Sequence, residues 1–255
     1  EAPRVTPQEP GTARSMVRYW NALANYRFTI LLVALTLLLL AAPAVNLLAP
    51  PEQQRSASHI TITAFLAIVM ITAGLAITRG RKTFGVAILL ALPAIILQGL
   101  PQDVSTRTAT MAEYILSLLF LSYVMALILT RIFRSEQVSF DTISASLCVY
   151  LLLGIAWAIA YSLLDIWEPG QSFRFGLGNE DAEGLMRFGG DRSIFPIYYS
   201  FVTMTTLGYG DILPNSPSAR MLSSLEAVMG QLYLIVLVAR LVGIHIAHSV
   251  ASKSK

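Results

Sequence analysis

Charge is scarce in this chain. Charged residues make up 13% of its 255 positions, against 55% hydrophobic, and the mean hydropathy is +0.63. A soluble domain carries about a quarter charged residues, so an ordinary water-soluble globule is excluded and the composition points to lipid as solvent. Cysteine is almost absent: Cys148 stands alone, which excludes an intrachain disulfide and a metal site built on cysteines. The net charge of +3 is scattered and forms no basic stripe of the kind that binds nucleic acid. The chain does not open with a short apolar run and a small-residue cleavage site, so no secretory signal peptide is expected.

What is abundant is apolar runs of helical length. Crossing a hydrocarbon core of about 30 Å takes about 20 helical residues. Six runs qualify, Phe28–Leu48, Ile60–Thr78, Phe84–Leu100 (with Pro93 expected to kink it), Met111–Phe133, Ile143–Trp167 and Met221–His248. Backbone facing lipid must satisfy its own hydrogen bonds, so each is expected to be helix. Basic residues check the count, because inside loops are rich in Lys and Arg. Six crossings with both termini cytoplasmic place Arg4, Arg14, Arg18, Arg27, Arg79, Arg81, Lys82, Arg131, Arg134, Lys253 and Lys255 inside, while the short outer loops keep only Arg55 and Arg107. Ahead of the first run, residues 12–27 read either as an interfacial helix or as an unanchored basic tail.

Asp165 to Arg192 is rich in Gly and charge, with six acids to three arginines, and could not cross a membrane. Ile194 to Thr205 is apolar but too short to span, so it enters the membrane only if protein or water surrounds its ends. The next residues read Thr205-Thr206-Leu207-Gly208-Tyr209-Gly210-Asp211. A chance Gly-Tyr-Gly turn between two helices is the bland reading. Six matching residues, a short apolar segment before them and a spanning helix after them favour a specific one. The run resembles the selectivity filter of the tetrameric potassium channel superfamily, for which a TVGYG loop contributed four times is the standing example. Leu207 stands where the commoner form has Val. The resemblance covers roughly the last 110 residues and extends through Ile197-Tyr198-Tyr199-Ser200 and Met221–His248.

The resemblance implies an all-α membrane protein, six transmembrane helices with a re-entrant pore helix and filter between the fifth and sixth. It divides the chain into a cytoplasmic segment (1–27), a four-helix domain (28–134) and a pore domain (141–250). Within the last lie an outer helix (143–167), outer loop (168–193), pore helix (194–205), filter (206–211) and inner helix (220–248). The implied activity is passive K+ conduction through a homotetramer in the plasma membrane, both termini cytoplasmic. Membrane lipids are the other partners. No enzyme activity, cofactor, small-molecule substrate or nucleic acid is implied; K+ ions would be bound by Thr206, Leu207, Gly208 and Tyr209. Carbonyls replace an ion's hydration shell only if several in succession point one way, and Gly208 and Gly210 tolerate the φ > 0 this demands. The Thr206 hydroxyl closes the inner end, and Tyr209 is expected behind the filter with its hydroxyl tethered to the pore helix. Thr205, Tyr198 and Tyr199 support the filter, and Asp211 caps its outer end. Val202 replaces a Glu that in some members bonds to that Asp, so the link is expected to be missing.

On the inner helix, Gly230 lies nineteen residues beyond Asp211, where the family places its gating hinge. It is either that hinge or a small residue admitting a close neighbour. Gln231, Leu234, Val238 and Val242 follow at helical steps and are expected to line a cavity and an apolar inner gate, or to pack against neighbouring helices. Glu226, an intramembrane carboxyl, is a gating or pH element or a structural hydrogen bond, with Thr203 or Thr205 as expected partners. Arg240 is read as snorkelling near the inner mouth. His245 and His248 are candidate pH sensors or simply polar ends.

The fourth run lacks the arginine row of a voltage sensor: between Glu113 and Arg131 nothing is cationic. Opening is therefore expected to depend little on voltage. Two other functions compete, a non-conducting sensor that kept the fold and a potassium transporter subunit; the intact Thr-Leu-Gly-Tyr-Gly run counts against both.

Overall fold

The computed structural model describes residues 27–48, 68, 81–98, 107–135, 139–176, 186 and 194–253. They form six helices: α1 (Arg27–Leu48), α2 (Arg81–Gln98), α3 (Arg107–Arg134), α4 (Phe140–Trp167), α5 (Phe195–Met204) and α6 (Pro217–Lys253). Two short strands, β1 (Phe173–Phe175) and β2 (Ile212–Pro214), complete the set. Among the described residues, three helices, α3, α4 and the α6 stretch Pro217–Arg240, are long and apolar enough to cross a membrane; α1 and α2 contribute shorter apolar stretches. The chain is thus a mostly helical membrane protein. The expected span at 60–78 and the 12–27 segment lie outside the described residues, apart from residues 27 and 68.

α4 is the hub, packing against α1, α3, α5 and α6, while α2 packs on α3. Its start is fixed by Ser139, whose hydroxyl accepts the Thr142 N–H at 3.1 Å and satisfies one of the orphan amides of a helix start. One turn on, Asp141 Oδ1 accepts the Phe28 N–H at 3.0 Å, so a single carboxylate serves the first turns of both α1 and α4. Hydroxyls and a thiol continue that seam: Thr29 and Ser144 are 3.1 Å apart, and Cys148 Sγ donates to the Phe28 carbonyl at 3.4 Å. Small polar residues at helix contacts are what lipid-solvated bundles use, because burial against another helix removes little water there. The core around the seam holds Phe28, Leu31, Leu35, Phe120, Leu121, Val124 and Leu152.

Two arginines close helix ends. Arg107 donates to the carbonyls of Ile166 (2.6 Å) and Trp167 (3.3 Å), the last of α4. Arg240 of α6 donates to Ile132 (2.9 Å), Phe133 (2.7 Å) and Ser135 (3.0 Å) at the end of α3, with its guanidinium 5.1 Å from the Phe133 ring centre. Terminal carbonyls have no intrahelical donor, and a planar fork of N–H groups suits them. Snorkelling does not describe Arg240; it binds a neighbouring helix instead.

The outer loop brings a second departure from expectation. β1 lies within it and pairs antiparallel with β2, the stretch that follows Asp211: Phe173 faces Pro214, Arg174 faces Leu213 and Phe175 faces Ile212. The all-helical expectation holds for the framework and fails for this ribbon.

Candidate functional site

α5 is the short apolar segment expected to end inside the membrane. Pro196 starts it, where a missing N–H costs nothing. Its end hands over directly to the filter-like run: Thr205 N–H bonds to Phe201 O (3.0 Å), Thr206 N–H to Thr203 O (3.0 Å), and the N–H groups of Leu207 and Gly208 both bond to Val202 O (2.9 and 3.3 Å). The Val202 carbonyl therefore anchors the inner half of the run, a role invisible in its side chain.

Beyond that anchor every second residue is left-handed: Thr206 at φ 58°, Gly208 at 57° and Gly210 at 78°. Alternation of this kind turns successive carbonyls toward one side. The two glycines accept it freely. Thr206 was not expected to take part, and a β-branched residue there stores strain of order 1–3 kcal/mol. Such strain persists only where the surroundings over-determine it. Gly208 has nothing within 4 Å of where a β-carbon would be, and residues 205–211 are exposed in the single chain, Leu207 at 55% and Tyr209 at 66%.

Asp211 is bonded. Val202 makes no such bond, but the Tyr198 hydroxyl, one turn earlier, donates to Asp211 Oδ2 at 2.6 Å and links the short helix to it by another route. Burial, then the hydrogen bond to Asp211, push the Tyr198 hydroxyl up to about 12, so it remains a donor at any physiological pH. Tyr209 lies parallel to the Tyr198 ring, 6.4 Å between centres and 9° between planes. It meets α5 through its ring. Tyr199 is buried, and its hydroxyl is 2.7 Å from Ser223 Oγ on α6.

Glu226 is wholly buried behind the pore helix, 0% exposed. Its partners are neither Thr203 nor Thr205. Thr205 Oγ1 turns back to Phe201 O at 2.6 Å. Glu226 Oε2 instead accepts from the Tyr161 hydroxyl of α4, and Oε1 lies 2.5 Å from Ser200 Oγ of α5. Ser200 Oγ is also 2.6 Å from the Gly154 carbonyl. A serine has one proton, and a carbonyl can only accept. An ionised Glu226 accepts from both Ser200 and Tyr161; in its acid form it can donate to Ser200 instead, which releases the Ser200 proton to Gly154. Three helices meet on this one carboxyl.

With this geometry in hand, comparison with known proteins is informative. Residues 194–245, which run from α5 through the filter-like run to α6, match the family described as "Ion channel". This part of the chain is similar to ion channels. Over 110 residues, 43% of this chain, it is 26% identical to "Two pore potassium channel a" of Oryza sativa subsp. japonica, and the match spans 26% of that protein's length. No solved structure matches.

The long α6 presents two faces. Ala219, Ser223, Glu226 and Gly230 are buried, and Tyr233 and Arg240 continue the same three- and four-residue spacing toward the partners in α3 and α4. Tyr233 donates to Ser146 O at 2.6 Å and stacks on Tyr150. Gly230 sits against the end of α5: a β-carbon there would be 2.6 Å from Met204 Cγ and 2.7 Å from Met204 O. The helix runs unbroken through it. Gly230 thus admits a close neighbour. Gln231, Val238 and Val242 are exposed and Leu234 partly so. His245 and His248 fall on α6, but their side chains lie outside the described residues.

Sequence reasoning missed Tyr161 and Ser200, because no spacing links α4 and α5 to residue 226. It also missed the Tyr198 bond. Tyr198 is read from the sequence only as filter support, and a tyrosine's hydroxyl is the signal for the bond.

Proposed function

We propose that this chain is one subunit of a homotetrameric, K+-selective channel. The observation that carries the reading is the left-handed alternation at Thr206, Gly208 and Gly210, in a run that is exposed among the described residues of the single chain. An ion stripped of water needs oxygen ligands on all sides, and one strand supplies only one side. Four copies about a common axis complete the shell and follow the closed symmetry usual for such assemblies. Carbonyls of Thr206, Leu207, Gly208 and Tyr209, with the Thr206 hydroxyl innermost, then hold K+, and Gly210 and Asp211 form the outer exit.

The exposed face of α6 carries Val238 and Val242, 57% and 51% exposed, which in the tetramer form an apolar inner constriction below a cavity wetted by Gln231 and flanked by Leu234. Gly230 doubles as the place where the inner helix can bend, since glycine weakens a helix by about 1 kcal/mol. The chain crosses the plasma membrane six times with both ends cytoplasmic, and voltage contributes little to opening because α3 carries no row of arginines. Glu226 couples the pore helix to the inner helix, and His245 and His248 are candidate proton sensors at the inner end.

The test is K+ flux into liposomes containing the purified protein. Barium-blocked K+ uptake with no matching Na+ uptake is expected; robust Na+ flux would reject selectivity. A steep conductance–voltage curve carrying several gating charges would reject the weak voltage dependence.

A further inference from the structure

The β1–β2 ribbon reaches the exit of the filter itself. Its ladder runs from Ser172, whose carbonyl accepts the Asn215 N–H at 2.7 Å, to Gly176, whose N–H donates to Asp211 O at 2.8 Å. At that last rung a β-carbon on Gly176 would overlap the Gly210 carbonyl oxygen. On its other side β1 is fixed to the pore domain's aromatic core. Phe173 is 1% exposed and sits edge-on to Tyr161 and Tyr199, with ring centres 5.4 and 5.1 Å away, and Phe175 sits edge-on to Phe195 at 5.8 Å.

We propose that β1 and Gly176 position the Gly210 carbonyl at the outer exit of the ion path, with Gly176 acting through backbone contact with Gly210. The inference rests on the K+-channel reading above. Gly210 has no side chain to hold it and a left-handed φ open to glycine, so its carbonyl direction must be imposed from outside. Asp211 is held by Tyr198, and Gly210 by the outer loop. A binding constellation loses discrimination when it drifts by about 0.5 Å. The loop strand is therefore part of the selectivity apparatus, although it lies some thirty positions before the filter in sequence. Gly176 is a positioning residue, since its role is exerted through Gly210.

The experiment begins with the K+/Na+ permeability ratio of the wild-type channel from bi-ionic reversal potentials. G176A and G176V follow, each confirmed to assemble like wild type, with G85A as control because a β-carbon at Gly85 meets nothing within 4 Å. The ratio is expected to fall roughly tenfold in G176A and further in G176V. Their currents should decay faster as external K+ is lowered and recover as it is restored, with G85A unchanged. An assembled G176A with wild-type ratio and no external-K+ dependence overturns the inference. A wild-type ratio near unity instead overturns the K+-channel reading. Should the variants fail to assemble, amide exchange on the wild type decides: replacing K+ by N-methylglucamine should speed exchange at Gly176 and leave mid-α4 amides unchanged. An unaltered Gly176 amide overturns the proposal.

Discussion

Replacing Glu226 by Gln tests the buried carboxyl most sharply. Glutamine is the same size and carries no charge. Its oxygen can accept from Tyr161, and its amide can donate to Ser200, which leaves the Ser200 proton for Gly154. E226Q should therefore stay within about 1 kcal/mol of wild type per subunit, the scale of one exchanged neutral hydrogen bond. E226A strands the Tyr161 hydroxyl, at about 1–3 kcal/mol for an unsatisfied buried group. It also opens a cavity, and large-to-small changes in packed sites cost about 2–5 kcal/mol in all. The sum is about 3–8 kcal/mol per subunit. E226L alone should be nearly as harmful, whereas E226L combined with Y161F should recover part of the loss, because both polar partners then leave together. Thermal melting of the purified oligomer beside K+ flux reads all four variants. If E226Q proves as damaging as E226A, the acid-form network is refuted.

Y198F removes the donor to Asp211. At an exposed bond the stability cost should stay below about 1.5 kcal/mol, and the effect should appear as faster decay of K+ current in sustained recordings. R240A frees three carbonyls at the end of α3 and should speed amide exchange in its last turn; R240K should restore only part, since an ammonium is a point charge and not a planar fork. Glu168 caps α4 outside the membrane, where the hydroxyls of Ser216 and Ser218, with Ser172, hold its carboxyl below the usual range. A depressed carboxyl stabilises the fold above its ordinary value of 4.5, and that contribution fades as pH falls through the lower folded value. Melting of E168Q should accordingly show a shallower acid-side slope than wild type below pH 4.5.

The helices were legible because lipid imposes a simple rule: apolar runs of spanning length must be helical. Thus α3, α4 and α6 lie where hydropathy puts them, and α5 was found by being too short to span. The filter-like run was legible because its glycines are where left-handed backbone is required. Thr206 was not, since threonine is a poor choice for that conformation and only the anchoring at Val202 O compels it. The partners of Glu226 were misassigned, and that of Asp211 missed, for another reason. Sequence spacing predicts neighbours along one helix, whereas Tyr161, Ser200 and Tyr198 reach their partners across helices or around a turn. β1 escaped notice because Phe173-Arg174-Phe175 is too short for alternation to register. Arg240 looked like an interfacial charge because the carbonyls it binds belong to a helix more than a hundred residues earlier.

A structure of the protein purified in abundant K+ tests the central claim most directly. Four copies around one axis, with a row of ordered ions among the Thr206–Tyr209 carbonyls, is the predicted result. A monomer, or an assembly in which that run holds no ions, would contradict it.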